Sequence, residues 1–187
     1  NNGFVIAAAA LDSLLIEKTS HFLASHYRRL RTRFLKDHPD EVPPVLGIAK
    51  YVGSEFERTL LFHDLVQSPS LLHALEQFLG PDIAIMNFPN VLINDPLDDN
   101  PATLKSMHQE VWTGSTLDHI HVWIPIGNVH GENTLCVVPG SHLYGLLPNR
   151  NRRVLPPEGY TLEEGIPLTC FETGDALFFH ALLLHRT

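Results

Sequence analysis

The sequence predicts a mainly β fold led by N-terminal helices, with its strands paired antiparallel as a sandwich or barrel. Two observations carry that reading. Residues 1–80 hold apolar side chains at helical spacing, whereas from Pro81 onward the texture changes to short β-rich runs separated by Pro, Gly, Asn and Asp. The regular alternation of strands with helices that a parallel sheet requires is missing.

In the first part, Leu23, Tyr27, Leu30 and Phe34 recur on one helical face, and Arg28, Arg29, Arg31, Arg33 and Lys36 fall mostly between them. A charge run in that position reads as a solvated face rather than an anion site. Pro39 closes this helix. The stretch from Ser68-Pro69 to Gly80 carries three boundary signals of a short helix: Ser as N-cap, Pro at the first position and Gly after the last turn. Strands are expected over 82–87, 90–95, 104–110, 117–125, 134–138, 167–171 and 175–187. Asn133-Thr134 and Gly131 read as turn residues before the strand that carries Cys136. Leu147 to Pro167 is polar and Pro-rich, and reads as a long surface loop over one end of the barrel, of a length often used for lids. No internal repeat is found.

With 187 residues, 44% of them hydrophobic and 18% charged, the chain suits one domain with a real core, 1–80 forming a helical buttress and 81–187 the β core. A formal charge of -8 argues against nucleic acid, because phosphate contacts need a surplus of Lys and Arg on one face. No apolar run approaches the roughly 20 residues that cross a bilayer, and Phe4 to Leu11 lacks the basic flank and cleavage pattern of a signal peptide. No membrane partner and a cytoplasmic location are therefore expected. Cys136 and Cys170 match no metal or redox spacing and read as buried free thiols. The unusual part of the composition is its 12 histidines, which concentrate after residue 100.

His108-Gln109-Glu110 lies in a run that reads as strand, where period-two alternation sends His108 and Glu110 to one face. An imidazole and a carboxylate from one strand, joined by a second imidazole, form the facial triad that leaves positions of an iron(II) open. The candidate third ligand is His185, which ends the apolar run after Gly174-Asp175; a buried imidazole needs both ring nitrogens satisfied, and a metal on one with a hydrogen bond on the other would do so. His180, five residues earlier, faces the other side by parity and reads as structural.

The order His108-Gln109-Glu110, Trp123-Ile124-Pro125, Val138-Pro139-Gly140-Ser141-His142, Gly174-Asp175-Ala176-Leu177-Phe178-Phe179-His180 and Leu184-His185 resembles the phytanoyl-CoA dioxygenase family of iron(II)/2-oxoglutarate oxygenases, over about residues 80 to 187. The resemblance implies a double-stranded β-helix, a jelly-roll, cupin-like barrel buttressed by the helices. It also implies a dioxygenase using Fe(II), 2-oxoglutarate and O2, with His108, Glu110 and His185 on the metal. Asn90, Asn94, Trp123 and Thr187 match the family's co-substrate positions. Two departures stand out. Glu110 replaces the usual Asp, which lengthens the reach of the carboxylate but still argues for oxygen chemistry, since halogenating relatives carry a small residue there. The arginine that anchors the distal carboxylate of 2-oxoglutarate, and the last barrel strand, are expected beyond Thr187; Arg186 faces the wrong way by parity.

His119, His121 and Trp123 alternate on one strand, so a family-inward Trp123 makes the histidines inward too and favours a small polar substrate, a sugar or natural-product scaffold. Trp112 is a candidate for the mouth. Hydroxylation is the default outcome, and ring closure or desaturation begins with the same hydrogen abstraction. Ser141 is not read as a nucleophile, because Pro-Gly-Ser-His lacks the glycine spacing of a nucleophile elbow. Two other readings stay open: a jelly-roll binding protein with a decayed site, and a cupin-type metalloenzyme without 2-oxoglutarate. A homodimer is compatible with all three.

Overall fold

The computed structural model describes residues 2–86, 89–93, 106–113, 116–127, 129, 133–150, 153–156 and 165–186. The chain opens with a strand, β1 (Phe4–Ala7), followed by four helices, α1 (Ser13–Asp37), α2 (Val45–Glu57), α3 (Leu60–Val66) and α4 (Pro69–Leu79). Seven short strands come after: β2 (Ile120–Trp123), β3 (Cys136–Val137), β4 (Asn149–Arg150), β5 (Arg153–Val154), β6 (Ile166–Pro167), β7 (Ala176–His180) and β8 (His185–Arg186). Single turns of 3-10 helix occupy Glu110–Thr113 and Ser141–Tyr144.

The helix boundaries follow local chemistry. The Asp12 carboxylate accepts the Leu15 N–H at 3.1 Å and starts α1, and Thr59 does the same for α3 through Phe62. Helix α4 runs between Ser68 and Gly80 as expected, with Pro at its first turn and Gly80 at φ 78°. The Ser68 hydroxyl, however, donates to the Ala10 carbonyl at 3.2 Å, tying α4 to the β1–α1 connection. Arg28, Arg29, Arg33 and Lys36 are exposed on α1, and Arg31 is half-buried.

All strand pairing among the described residues is antiparallel, in sheets of order β1-β7-β2, β6-β3-β8 and β4-β5. The alternation of β7 builds two layers. Ala176 and Phe178 face the helices in a core with Ile16, Phe56, Leu65, Leu71 and Leu75. Leu177 and Phe179 face the second sheet, packing with Leu135, Val137, Leu168 and Leu183. Helices thus cover one face of the first sheet and the second sheet covers the other.

Several expected elements come out differently. Phe4–Ala7, which the sequence reading places in a helical region, is a strand: β-favouring Phe-Val-Ile pairs in register with Phe179, Phe178 and Leu177. The described parts of 82–87 and 90–95 carry no strand. Ile83 and Ile93 pack on the helices instead, Ile93 beside Tyr27, Val45, Ile48 and Val52. The run 104–110 reduces, over its described residues, to one bridge at His108 before the chain turns at Glu110. The run 175–187 is two strands in different sheets, separated by a turn at Ala181-Leu182. The expected loop from Leu147 contains the β4–β5 hairpin, and buried Leu147 and Val154 anchor it on Val138 and Leu184, so this part is packed structure rather than a lid. Cys136 is buried as expected, but Cys170 is exposed. The described sheets do not close into a barrel.

Gly174-Asp175 joins the N-terminal segment to β7. The buried Asp175 carboxylate accepts the Ala9 N–H at 3.0 Å and the Glu172 N–H at 2.9 Å, and the Leu11 N–H donates to the Gly174 carbonyl at 2.9 Å. Gly174 has φ 98°, and a Cβ there would strike the Leu11 carbonyl oxygen. Gly174→Ala is therefore expected to destabilise the fold by about 1–3 kcal/mol, read as a lower denaturation midpoint with an unchanged slope.

Candidate metal centre

Backbone pairing brings the two histidines together. The His108 N–H donates to the His185 carbonyl at 2.9 Å, and the His185 N–H donates to the His108 carbonyl at 3.1 Å. Register with β3 then sets His185 opposite Val137. The chain leaves extended geometry at Glu110, and the longer carboxylate still reaches both rings: Glu110 Oε1 lies 3.2 Å from His108 Nε2 and 3.3 Å from His185 Nε2. One ligand atom from each of the three residues falls within 4.8 Å of the others. Residues 77 positions apart in the sequence reading thus converge.

The other ring nitrogens define what these atoms offer. His108 Nδ1 lies 2.8 Å from the Ser106 carbonyl and His185 Nδ1 lies 2.9 Å from the Leu183 carbonyl. A carbonyl only accepts, so each Nδ1 carries the proton and each Nε2 presents a lone pair. Two imidazole lone pairs and a carboxylate oxygen converging on one spot repel unless a cation lies between them. Burial pushes the His185 imidazole below its ordinary pKa of 6.5, and the Glu110 carboxylate, which favours the protonated ring, only partly opposes that shift. Neutral imidazole is also the ligand form, so the donor set fits a divalent metal of the kind held by two histidines and a carboxylate.

The same burial has a consequence for the metal-free protein. Below about pH 6.5 the unfolded chain takes up a proton at His185 that the folded chain resists, so stability is fully present above that pH and declines as pH falls. Thermal melts of the metal-free protein from about pH 8 to about pH 5.5 are expected to show a falling midpoint. A midpoint that rises on acidification contradicts this account.

Neighbouring polar groups fix the ligands. Gln109 is fully buried; its amide donates to the Gly145 carbonyl at 2.9 Å and the Leu182 carbonyl at 2.8 Å, and its oxygen accepts the Leu147 N–H at 2.9 Å. The buried Ser141 hydroxyl accepts the Leu184 N–H at 2.8 Å, a structural role in keeping with its reading as a turn residue. Gln109 escaped the sequence reading, although alternation already turns it away from its two neighbours.

The other candidates scatter. His121 stacks on Phe179 with ring centroids 5.3 Å apart, and Phe179 in turn lies 4.8 Å from the His185 ring, so His121 is one ring removed from the centre. His119 accepts the Thr116 N–H at 2.8 Å, and its ring lies 6.2 Å from that of His121. Trp123 points between the sheets as expected and packs edge-on against Phe171. Trp112 packs on Val138, Leu147, Val154 and Leu184. Asn90 is exposed; it and Trp123 border a cavity of about 900 Å³ whose walls do not include the three ligands. Asn94 and Thr187 lie outside the described residues. His180 stays out of the cluster, as expected, and Arg186 is exposed.

Comparison with known proteins adds an independent line. The family profile described as phytanoyl-CoA dioxygenase (PhyH) matches residues 1–187. A 1-deoxypentalenic acid 11-beta-hydroxylase of Streptomyces arenae is 26% identical over 140 residues, covering 67% of this chain and 50% of the relative. A peroxisomal phytanoyl-CoA dioxygenase of Homo sapiens is 29% identical over 131 residues, covering 63% of this chain and 38% of the relative. The chain thus spans half or less of these curated relatives. Among solved structures, the apo non-heme monooxygenase ThoJ superposes with TM-score 0.67 at 19% identity, over 99% of this chain and 67% of that one. The epimerase SnoN, in complex with Fe3+, alpha ketoglutarate and nogalamycin RO, gives TM-score 0.59 at 16% identity, over 99% and 72% of the two chains.

Proposed function

Because the chain belongs to the phytanoyl-CoA dioxygenase family, we propose that its three converging ligands hold iron(II) in an oxygenase that uses 2-oxoglutarate and O2 to oxidise a small molecule. The observation that carries this is the pair of Nε2 lone pairs facing the Glu110 carboxylate, each set by an Nδ1–H bond to a carbonyl. The fold is proposed to be the jelly roll of such oxygenases in one domain, with β1-β7-β2 and β6-β3-β8 as parts of its two walls.

When bound, the metal with its co-substrate supplies the oxidising power, and the chain's own residues bind and orient. His108, Glu110 and His185 would hold the metal, and the metal would supply the positions at which 2-oxoglutarate and O2 bind. The Leu177, Phe179 and Leu183 side chains keep the wall beside His185 dry. The substrate is proposed to be a small metabolite of natural-product type, with apolar faces against that wall and a polar group within reach of His121; the apolar surroundings favour such a scaffold over a sugar. Trp123 and Asn90 are assigned to the co-substrate side and Trp112 to the mouth. Hydroxylation is the proposed outcome.

Anaerobic titration with iron(II) and then 2-oxoglutarate tests the reading. The expected result is a weak visible charge-transfer band on adding the second component, and succinate on admitting O2. Metal retention without a band points instead to a cupin-type metalloenzyme; no metal retention points to a binding protein.

A further inference from the structure

The six-residue passage from His180 to His185 carries the chain from one sheet to the other and delivers the distal histidine. Nearly every peptide group along it is held. The Ala181 carbonyl accepts the Val111 N–H, the Leu183 N–H donates to the His180 carbonyl at 2.8 Å, and the Leu184 carbonyl accepts the Val138 N–H at 2.9 Å. The Leu182 carbonyl is taken by Gln109, the Leu183 carbonyl by His185 Nδ1, and the Leu184 N–H by Ser141. The Leu182 N–H goes to the His180 side chain: it donates to Nδ1 at 3.0 Å.

We propose that His180 is a positioning residue for the metal centre, its unprotonated Nδ1 capping the Leu182 N–H and so fixing the turn that presents His185. The bond joins a side chain to the N–H two residues on, the same reach by which Asn and Asp form Asx-turns. It requires the neutral ring with its proton on Nε2. Two surroundings favour that form: half-burial of the ring, which pushes its pKa down, and the His142 ring 5.6 Å away, whose charge adds to the effect. The His180 N–H is itself fixed on the Gly3 carbonyl at 3.0 Å, so the imidazole hangs from a backbone already clamped between β1 and β2. The ring therefore acts on His185 through the turn and not as a ligand.

The inference rests on the metal reading above, and two measurements separate the two. Two variants divide the acceptor from the ring. His180→Asn keeps an acceptor at Asx-turn reach and loses the ring; His180→Phe keeps a ring of similar shape and loses the acceptor. Binding of Co(II) under anaerobic conditions, with its visible d–d bands, reads the ligand geometry. Hydrogen exchange of a peptide covering 181–185 reads the turn without any metal.

The expected result is that His180→Asn keeps Co(II) affinity, band shape and exchange protection close to the starting protein. His180→Phe is expected to weaken Co(II) by about tenfold, alter the bands and speed exchange at Leu182. Equal behaviour of the two variants, whether both intact or both impaired, overturns the role of the acceptor. Failure of the starting protein to bind Co(II) sinks the metal reading alone, because exchange over 181–185 still decides whether His180 holds the turn.

Discussion

Replacing His108 by alanine is expected to give a folded protein that no longer retains iron(II) and no longer converts 2-oxoglutarate to succinate. The backbone bonds that pair His108 with His185 do not use the imidazole, so the bridge survives the substitution. What is lost is one of three converging ligand atoms, leaving His185 and Glu110 3.3 Å apart without a third arm. Loss of a residue that merely supports a ligand costs 10–100-fold in metal affinity, so loss of a ligand is expected to cost more than about a hundredfold. The matched control is His38→Ala, at an exposed position whose ring pairs with Glu41 and Phe34 at the end of α1. Equilibrium dialysis of iron(II) under anaerobic conditions, with circular dichroism on the same samples, checks both variants. Undiminished iron(II) binding in His108→Ala removes this residue from the centre.

That centre was legible in part. The two-position spacing suggested that His108 and Glu110 share a face, although Glu110 starts a 3-10 turn rather than continuing a strand and reaches the rings by its length; His185 ends an apolar run that is buried. The route by which His185 arrives was not legible. Parity along 175–187 assumes one continuous strand, whereas the turn at Ala181-Leu182 resets the alternation and moves the chain into another sheet. His119 sits just before β2 begins, where its ring accepts the Thr116 N–H and lies 6.2 Å from the His121 ring. Helix α4 was readable because Ser, Pro and Gly mark its ends by backbone chemistry. Strand β1 was not, because Phe4–Ala7 becomes a strand only through its partner Ala176–Phe179, more than 160 residues away. Ile83 and Ile93 show the converse, β-favouring residues that pack on helices.

Gln109 shows how a residue between two ligands controls both. Gln109→Leu fills nearly the same volume but leaves the Leu147 N–H and the Gly145 and Leu182 carbonyls without their partner. Each buried polar group so orphaned costs about 1–3 kcal/mol, and a combined loss of about 3 kcal/mol or more is a large part of the roughly 5–15 kcal/mol that holds a domain together. The expected result is a marked fall in the denaturation midpoint together with weaker metal binding, since Leu182 belongs to the turn that delivers His185. Gln109→Glu separates hydrogen bonding from shape. Its carboxylate still accepts from Leu147 but sets negative charge against two carbonyls, and burial raises its pKa above the unfolded value of about 4.3. The penalty is therefore present at neutral pH and is relieved as pH falls through the raised folded value, where the protonated acid regains a donor. Relative to the starting protein at each pH, Gln109→Glu should recover stability on acidification while Gln109→Leu should not. Parallel behaviour of the two variants across that range means that packing, and not the three hydrogen bonds, is what Gln109 contributes.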